Sequence, residues 1–225
     1  MYSVSITTFN RERKGRVNYF TECWNNLVEA GILDNPLIYS IDIFVGHEKD
    51  QWCIDTLPDD YRVNIHYLEK ELDHRFNILA VMKHAVSDMT AEYHLYLEDD
   101  IAVKEPYMLT VFNEIWSFQM SVKHPEKISV FLDFRPTHAC ECSNGYREEG
   151  LNTFTAVMFF KLTIQRFLDM FPNNYPIGKA PDWIFGHAVQ QPTFTMVPGL
   201  FKHIGLESVA HKRCFNTVIG DKHDL

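Results

Sequence analysis

Residues Tyr93 to Val103 read YHLYLEDDIAV, and no other stretch constrains the chain as strongly. A short, largely apolar run of His94, Leu95, Tyr96 and Leu97 opens into three adjacent carboxylates, Glu98, Asp99 and Asp100, before apolar residues resume at Ile101. A run of this length between polar flanks reads as a buried strand. The acids then stand at its C-terminal end, where open α/β sheets bind ligands. Adjacent carboxylates repel one another and are costly to desolvate without a counter-charge. A hard divalent cation with oxygen ligands, shared with substrate phosphates, answers that cost. The plainer alternative is an acidic strand end facing water.

The residues before this stretch alternate between strand and helix signals. Ser3 to Thr7 (SVSIT) reads as a first strand running into Thr8-Phe9-Asn10-Arg11, followed by the basic loop RERKGR. Val17, Phe20, Trp24, Leu27 and Val28 recur at helical spacing, with Gly31 placed to cap the helix. Leu37 to Val45 reads as a second strand ending at Gly46, and Val63 to Leu68 as a third. Phe76, Leu79, Ala80, Met82, Lys83 and Val86 fit a helix leading into the acidic strand. Strand–helix–strand–strand–helix–strand is a parallel α/β pattern.

The second half is less regular. Pro106 suits the first turn of a helix reaching about Met120. Ile128 to Phe134 and Phe154 to Phe160 read as strands, separated by a polar stretch, Arg135 to Asn152, expected to be a long functional loop. Thr163 is placed to cap a short helix to Phe171. A turn-rich loop, Asn173 to Pro181, precedes a helix from Asp182 to Val189, and PGLFKHIG leads into a polar tail. With no repeat and no linker, one domain over 1–225 is expected.

At 225 residues the chain can bury a full core, and its 46% hydrophobic and 23% charged residues are ordinary for a globular protein. No apolar run reaches the ~18 residues of a membrane span, and the N-terminal residues lack signal-peptide character. The five cysteines are expected to be reduced thiols in a cytoplasmic protein. A net charge of −9 argues against broad binding to a phosphate backbone. His138, Cys140 and Cys142 (HACEC) raise a zinc reading, but the spacing is not a C-x₂-C pair and no second pair accompanies it.

Four elements in this order resemble the GT-A family of nucleotide-sugar-dependent glycosyltransferases. They are a first strand ending TTFNR, a strand ending LEDDI, a helix opening PDW, and a late HIG followed by a serine. The motif order is most similar to that of inverting N-acetylglucosaminyltransferases, whose acidic triplet is also of the Glu-Asp-Asp kind. The resemblance covers the order of elements over most of the chain, although each motif is short. It implies an α/β fold of GT-A (Rossmann-like) type, with a mixed central sheet flanked by helices. Residues 1–105 would form the nucleotide-sugar-binding half and 106–225 the acceptor-binding half.

The resemblance also implies roles. Asp100 would be the direct metal ligand, with Glu98 and Asp99 contacting ribose or bound water, and the metal would be Mn²⁺ or Mg²⁺. His203 would be a late metal ligand, an imidazole favouring Mn²⁺; a hydrogen bond to a backbone carbonyl is the alternative. Thr7, Thr8 and Arg11 match the segment that holds uracil and ribose. Asp42 and Gly46 fall where the base pocket is completed, and Arg75 and Asn77 precede the acidic strand, Arg75 within reach of a phosphate. Asp182 matches the base that takes the acceptor hydroxyl's proton, although an acid in a helix's first turn is stabilised by the helix dipole in any case. Asp133 is the next candidate.

The chain departs from membrane-bound relatives in being short and showing neither anchor nor stem. That suggests a bacterial or phage-type enzyme and leaves the acceptor open between a glycan and a hydroxylated nucleobase of phage DNA. The expected activity is hexosyl or pentosyl transfer from a nucleotide-sugar, expected to be UDP-linked, with inversion. Two rivals remain: a metal-dependent phosphohydrolase or nucleotidyltransferase using the same acids, and a non-catalytic sugar-binding module.

Overall fold

The computed structural model describes residues 1–8, 17–46, 57–68, 74–87, 90–103, 112, 113, 117, 121, 127–129, 140–142, 145–148, 155–171, 193–196 and 200–205. Its centre is a nine-stranded mixed sheet. In chain order the strands are β1 (Tyr2–Thr8), β2 (Ile38–Val45), β3 (Val63–Tyr67), β4 (Tyr93–Glu98), β6 (Lys127–Ser129), β7 (Cys140–Cys142), β8 (Gly145–Glu148), β9 (Ala156–Phe160) and β10 (Thr193–Met196). Their spatial order is β3-β2-β1-β4-β9-β6-β10-β8-β7. A separate two-stranded ribbon pairs β5 (Ile101–Val103) antiparallel with β11 (Phe201–His203).

The first four strands are parallel, as the strand–helix alternation predicts. Beyond β4 the sheet turns mixed: β9 runs antiparallel to β4 and to β6, β10 parallel to β6, and the β7–β8 hairpin closes that edge. The hairpin corrects the expectation of one long loop from Arg135 to Asn152. Gly145 to Glu148 pair along β10, so this polar segment extends the sheet. The observed β6 covers the start of the strand expected over Ile128 to Phe134.

Helix α1 (Phe20–Glu29) buries Phe20, Cys23, Trp24 and Leu27 on one face. Val17 shares their spacing but precedes the helix and is exposed. The helix ends as its glycine predicts: Gly31 has φ 84°, its N–H donates to Val28 O at 2.8 Å, and Ile32 N–H donates to Leu27 O at 3.0 Å. This is a Schellman stop, and its accompanying apolar contact joins buried Ile32 to the core that holds Leu27.

Helices α2 (His74–Ser87) and α3 (Lys161–Met170) cover the opposite face with a second core of Phe44, Ile78, Val81, Met82, Tyr96, Phe159, Ile164 and Phe167. Thr163 does not cap α3. The helix begins two residues earlier, directly from β9, and Thr163 is fully buried on its inner side. No helix among the described residues is long and apolar enough to cross a membrane.

Candidate active site

The parallel part of the sheet changes direction between β1 and β4. From β1 the chain steps outward to β2 and then β3, and it returns to the other side of β1 as β4. At such a switch point the crevice outside the strands' C-terminal ends is open to a ligand. Thr8 closes β1 there, and Glu98, Asp99 and Asp100 close β4.

Each of these acids is held by a different part of the chain. Asp99 is buried, and its Oδ2 accepts a 2.7 Å hydrogen bond from Thr8 Oγ1. Glu98 ends the strand: its N–H donates to Thr155 O at 2.9 Å, and its carbonyl faces the Cys23 thiol at 3.9 Å. Asp100 lies in the turn between β4 and β5 and is also buried. Asn26 secures the far side of that turn, its Oδ1 accepting the Val103 N–H at 2.6 Å.

His203 reaches Asp100 from β11. The ribbon places His203 opposite Ile101, one residue beyond Asp100, and brings His203 Nε2 within 3.2 Å of Asp100 Oδ2. The chain then wraps the aspartate: Ile204 and Gly205 N–H groups donate to Asp100 O at 2.8 and 3.3 Å. A Cβ at Gly205 would come 2.7 Å from Asp100 Oδ2 and 3.0 Å from His203 Cε1. The missing side chain is therefore what lets the backbone close over the carboxylate–imidazole pair.

His203 thus has its Nε2 facing the Asp100 carboxylate. Asp100 and His203 offer one carboxylate oxygen and one imidazole nitrogen at contact distance, two donors of the kind that Mn²⁺ accepts, and among the described residues no third His, Cys, Asp or Glu ligand atom lies within 4.8 Å of both. The residues present fit such an ion.

The other sequence-predicted residues are placed unequally. Thr7 is buried on the α2 side, its Oγ1 2.9 Å from the Tyr96 hydroxyl; burial and then the Glu98 charge push that phenol well above its ordinary pKa. Gly46 lies at the crevice, its N–H donating to Thr8 O at 2.9 Å and tying the ends of β1 and β2. Arg75 and Asn77 fall in the first turn of α2 by their backbone. Arg11, Asp182 and Asp133 lie outside the described residues.

Asp42 is placed inside β2 rather than at its end, and its carboxylate is taken up by His66 and His84. Those two histidines, Asn26 and Gly205 were not singled out from the sequence. Gly205 alone carried a signal, as the glycine of HIG; nothing in the linear order joins the others to their partners.

No protein-family model matches the sequence, and no curated protein matches it. Solved structures do. Residues 1–349 of Staphylococcus aureus TarS superpose with a TM-score of 0.55 at 12% identity, covering 90% of this chain. The same protein in complex with UDP gives 0.55 at 13% identity over 89% of this chain. The chain has the TarS fold. The mixed α/β architecture expected from the motifs, a central sheet flanked by helices, is the one observed, and it matches the fold of this TarS fragment. The chain spans about 60% of the TarS fragment's length.

Proposed function

We propose that this chain is a metal-dependent glycosyltransferase that moves a sugar from a UDP-linked donor to an acceptor hydroxyl with inversion. One observation carries the reading: Asp100 and His203, from segments a hundred residues apart in the chain, meet at the sheet's switch point. The TarS fold, captured elsewhere with UDP, supports it.

In this reading Asp100 and His203 hold Mn²⁺ or Mg²⁺. When bound, the ion supplies Lewis-acid stabilisation of the charge that develops on the departing diphosphate. Thr8 keeps the Asp99 carboxylate in one orientation, so Asp99 presents a fixed acceptor to ribose or to metal-bound water, with Glu98 as its neighbour. Gly46, Thr7, Arg11, Arg75 and Asn77 complete the nucleotide side. Asp182 takes the acceptor hydroxyl's proton as that oxygen attacks the anomeric carbon. The chain's 106–225 half receives the acceptor, a glycan or a hydroxylated nucleobase.

The donor assignment is tested by thermal shift. UDP should raise the melting temperature with Mn²⁺ and much less after chelation, because only a ligand of the native state stabilises it. Asp100→Ala should abolish the metal-dependent part. If no nucleoside diphosphate shifts the wild type with metal present, the reading fails. Product analysis separates the phosphohydrolase rival, which would release UMP instead of UDP.

The base is tested by Asp182→Asn, which preserves size and cannot accept the proton. Rate should fall about 10²–10⁴-fold, and the loss should appear in kcat with donor affinity nearly intact. Near wild-type kcat would move the base to another residue, Asp133 first.

A further inference from the structure

We propose that Asp42, His66 and His84 form a second divalent-cation site, of zinc type, that ties β2, β3 and α2 together away from the donor crevice. His66 Nε2 and His84 Nε2 lie 2.8 and 3.1 Å from the same oxygen, Asp42 Oδ1. One ligand atom from each of the three residues falls within 4.8 Å of the others. Zinc bonds of ~2.0–2.1 Å in tetrahedral geometry separate ligand atoms by roughly 3.3 Å, so small side-chain rotations would centre an ion among them.

The surroundings resemble those of a built site. Ser40 Oγ donates to Asp42 Oδ2 at 3.0 Å, which fixes the carboxylate while leaving Oδ1 to the imidazoles. Outer hydrogen bonds of this kind commonly orient metal-binding carboxylates. The Phe44 ring lies flat against His66 at 4.7 Å and edge-on to His84 at 5.5 Å, forming an apolar wall on one side. Asp42 is buried, while the two imidazoles keep 30% and 34% of their side-chain surface exposed. An ion can therefore enter from solvent and keep an outer coordination position for water. Burial alone would push the Asp42 carboxyl up; the hydrogen bonds from His66, His84 and Ser40 outweigh it and hold the group well below the usual carboxylate range.

The cluster is distinct from the donor crevice. Asp42 pairs with Ser5 in the register of β1, three positions before Thr8, or roughly 10 Å along the strand. Strand alternation also sets them on opposite faces, Asp42 beside Phe44 and α2 and Thr8 on the side of Ile6 and α1. A 2-His-1-carboxylate set of mixed N and O donors suits Zn²⁺ or Co²⁺ better than the harder Mg²⁺.

The test uses the full chain, stripped by a chelator and dialysed. Zn²⁺ is titrated in competition with a chromophoric chelator, and Co²⁺ is titrated separately while its d–d absorption is recorded. Expected are micromolar or tighter zinc binding, a Co²⁺ spectrum of low coordination number, and a melting temperature raised by roughly 5 °C or more at a hundredfold excess over Kd. An Asp100→Ala/His203→Ala double variant should keep this binding. His66→Gln and His84→Gln, which retain hydrogen-bonding capacity towards Asp42, should each weaken it about 100-fold. The wild-type Co²⁺ spectrum reads the site even where a variant folds poorly. Zinc binding no tighter than millimolar would leave the three residues a hydrogen-bonded bracket and overturn the proposal. So would binding that survives both glutamine variants, or that disappears with Asp100 and His203.

Discussion

A methyl group at Gly205 would sit 2.7 Å from Asp100 Oδ2 and 2.9 Å from Asp100 Cβ. The carboxylate oxygen could swing aside but the Cβ is fixed to the backbone, so the Asp100 turn or the loop must shift. Gly205→Ala should cost about 1–3 kcal/mol through overpacking and part Asp100 from His203. The check is a denaturation midpoint measured beside the Mn²⁺-dependent UDP thermal shift, and both should fall. An unchanged metal-dependent shift would mean that the loop re-routes without disturbing the pair. Gly31 is required for a different reason. Its nearest neighbour to an added Cβ is Asp34 Oδ2 at 4.0 Å, so space is available and the positive φ is what excludes other residues.

At the scale of elements, that contrast gives a control. Gly31→Ala forces a side chain into the left-handed region at the end of α1, at a cost of about 1–2 kcal/mol. The strain stays at the Schellman stop, remote from the crevice. Stability should drop by that amount in chemical denaturation while the Mn²⁺-dependent UDP shift of the remaining folded protein persists. Loss of the UDP response in this variant would show that α1 transmits to the acids it backs, through the Cys23 contact with Glu98 O and the Asn26 bond to Val103. Helix α1 was legible because its buried positions repeat at helical spacing and its glycine stop is local. The start of α3 was not, since Thr163 has the chemistry of a cap and only the packing of β9 against β4 shows that it points into the core.

For the whole molecule, the buried phenols of Tyr2 and Tyr96 set an alkaline limit. Burial, reinforced by the Tyr93 and Glu92 charges, pushes Tyr2 up to about 12, and burial pushes Tyr96 well above its ordinary value. A raised tyrosine pKa means that the native state keeps its proton where the unfolded chain has lost it. Between pH ~10 and ~12 the unfolded state binds fewer protons, so the slope of stability against pH is negative. This contribution is complete below pH ~10 and is lost as pH climbs through the folded values. Phenolate absorbance should show these two tyrosines ionising together with loss of far-ultraviolet ellipticity, after the exposed tyrosines have titrated. Normal titration of all ten tyrosines in a folded protein would contradict the packing of β1 against β4.

The sequence by itself determined the strand–helix alternation of the parallel half, the acidic strand end and the α1 stop, because each is written in the periodicity or dihedral preference of a few neighbouring residues. It also marked Asp100 and His203 separately, one by an acidic cluster and the other by a short motif near the end of the described chain. Only the tertiary structure decided that they meet, since the β5–β11 pairing joins segments a hundred residues apart and leaves no periodic trace in either. The same holds for Asp42. Its position in a strand was readable, but its partners arrive from the neighbouring strand and from the helix above, and side-chain convergence between elements is a property of how they pack. The β7–β8 hairpin was hidden for a related reason: three- and four-residue edge strands are too short for alternation to register, and backbone pairing to β10 makes them strands.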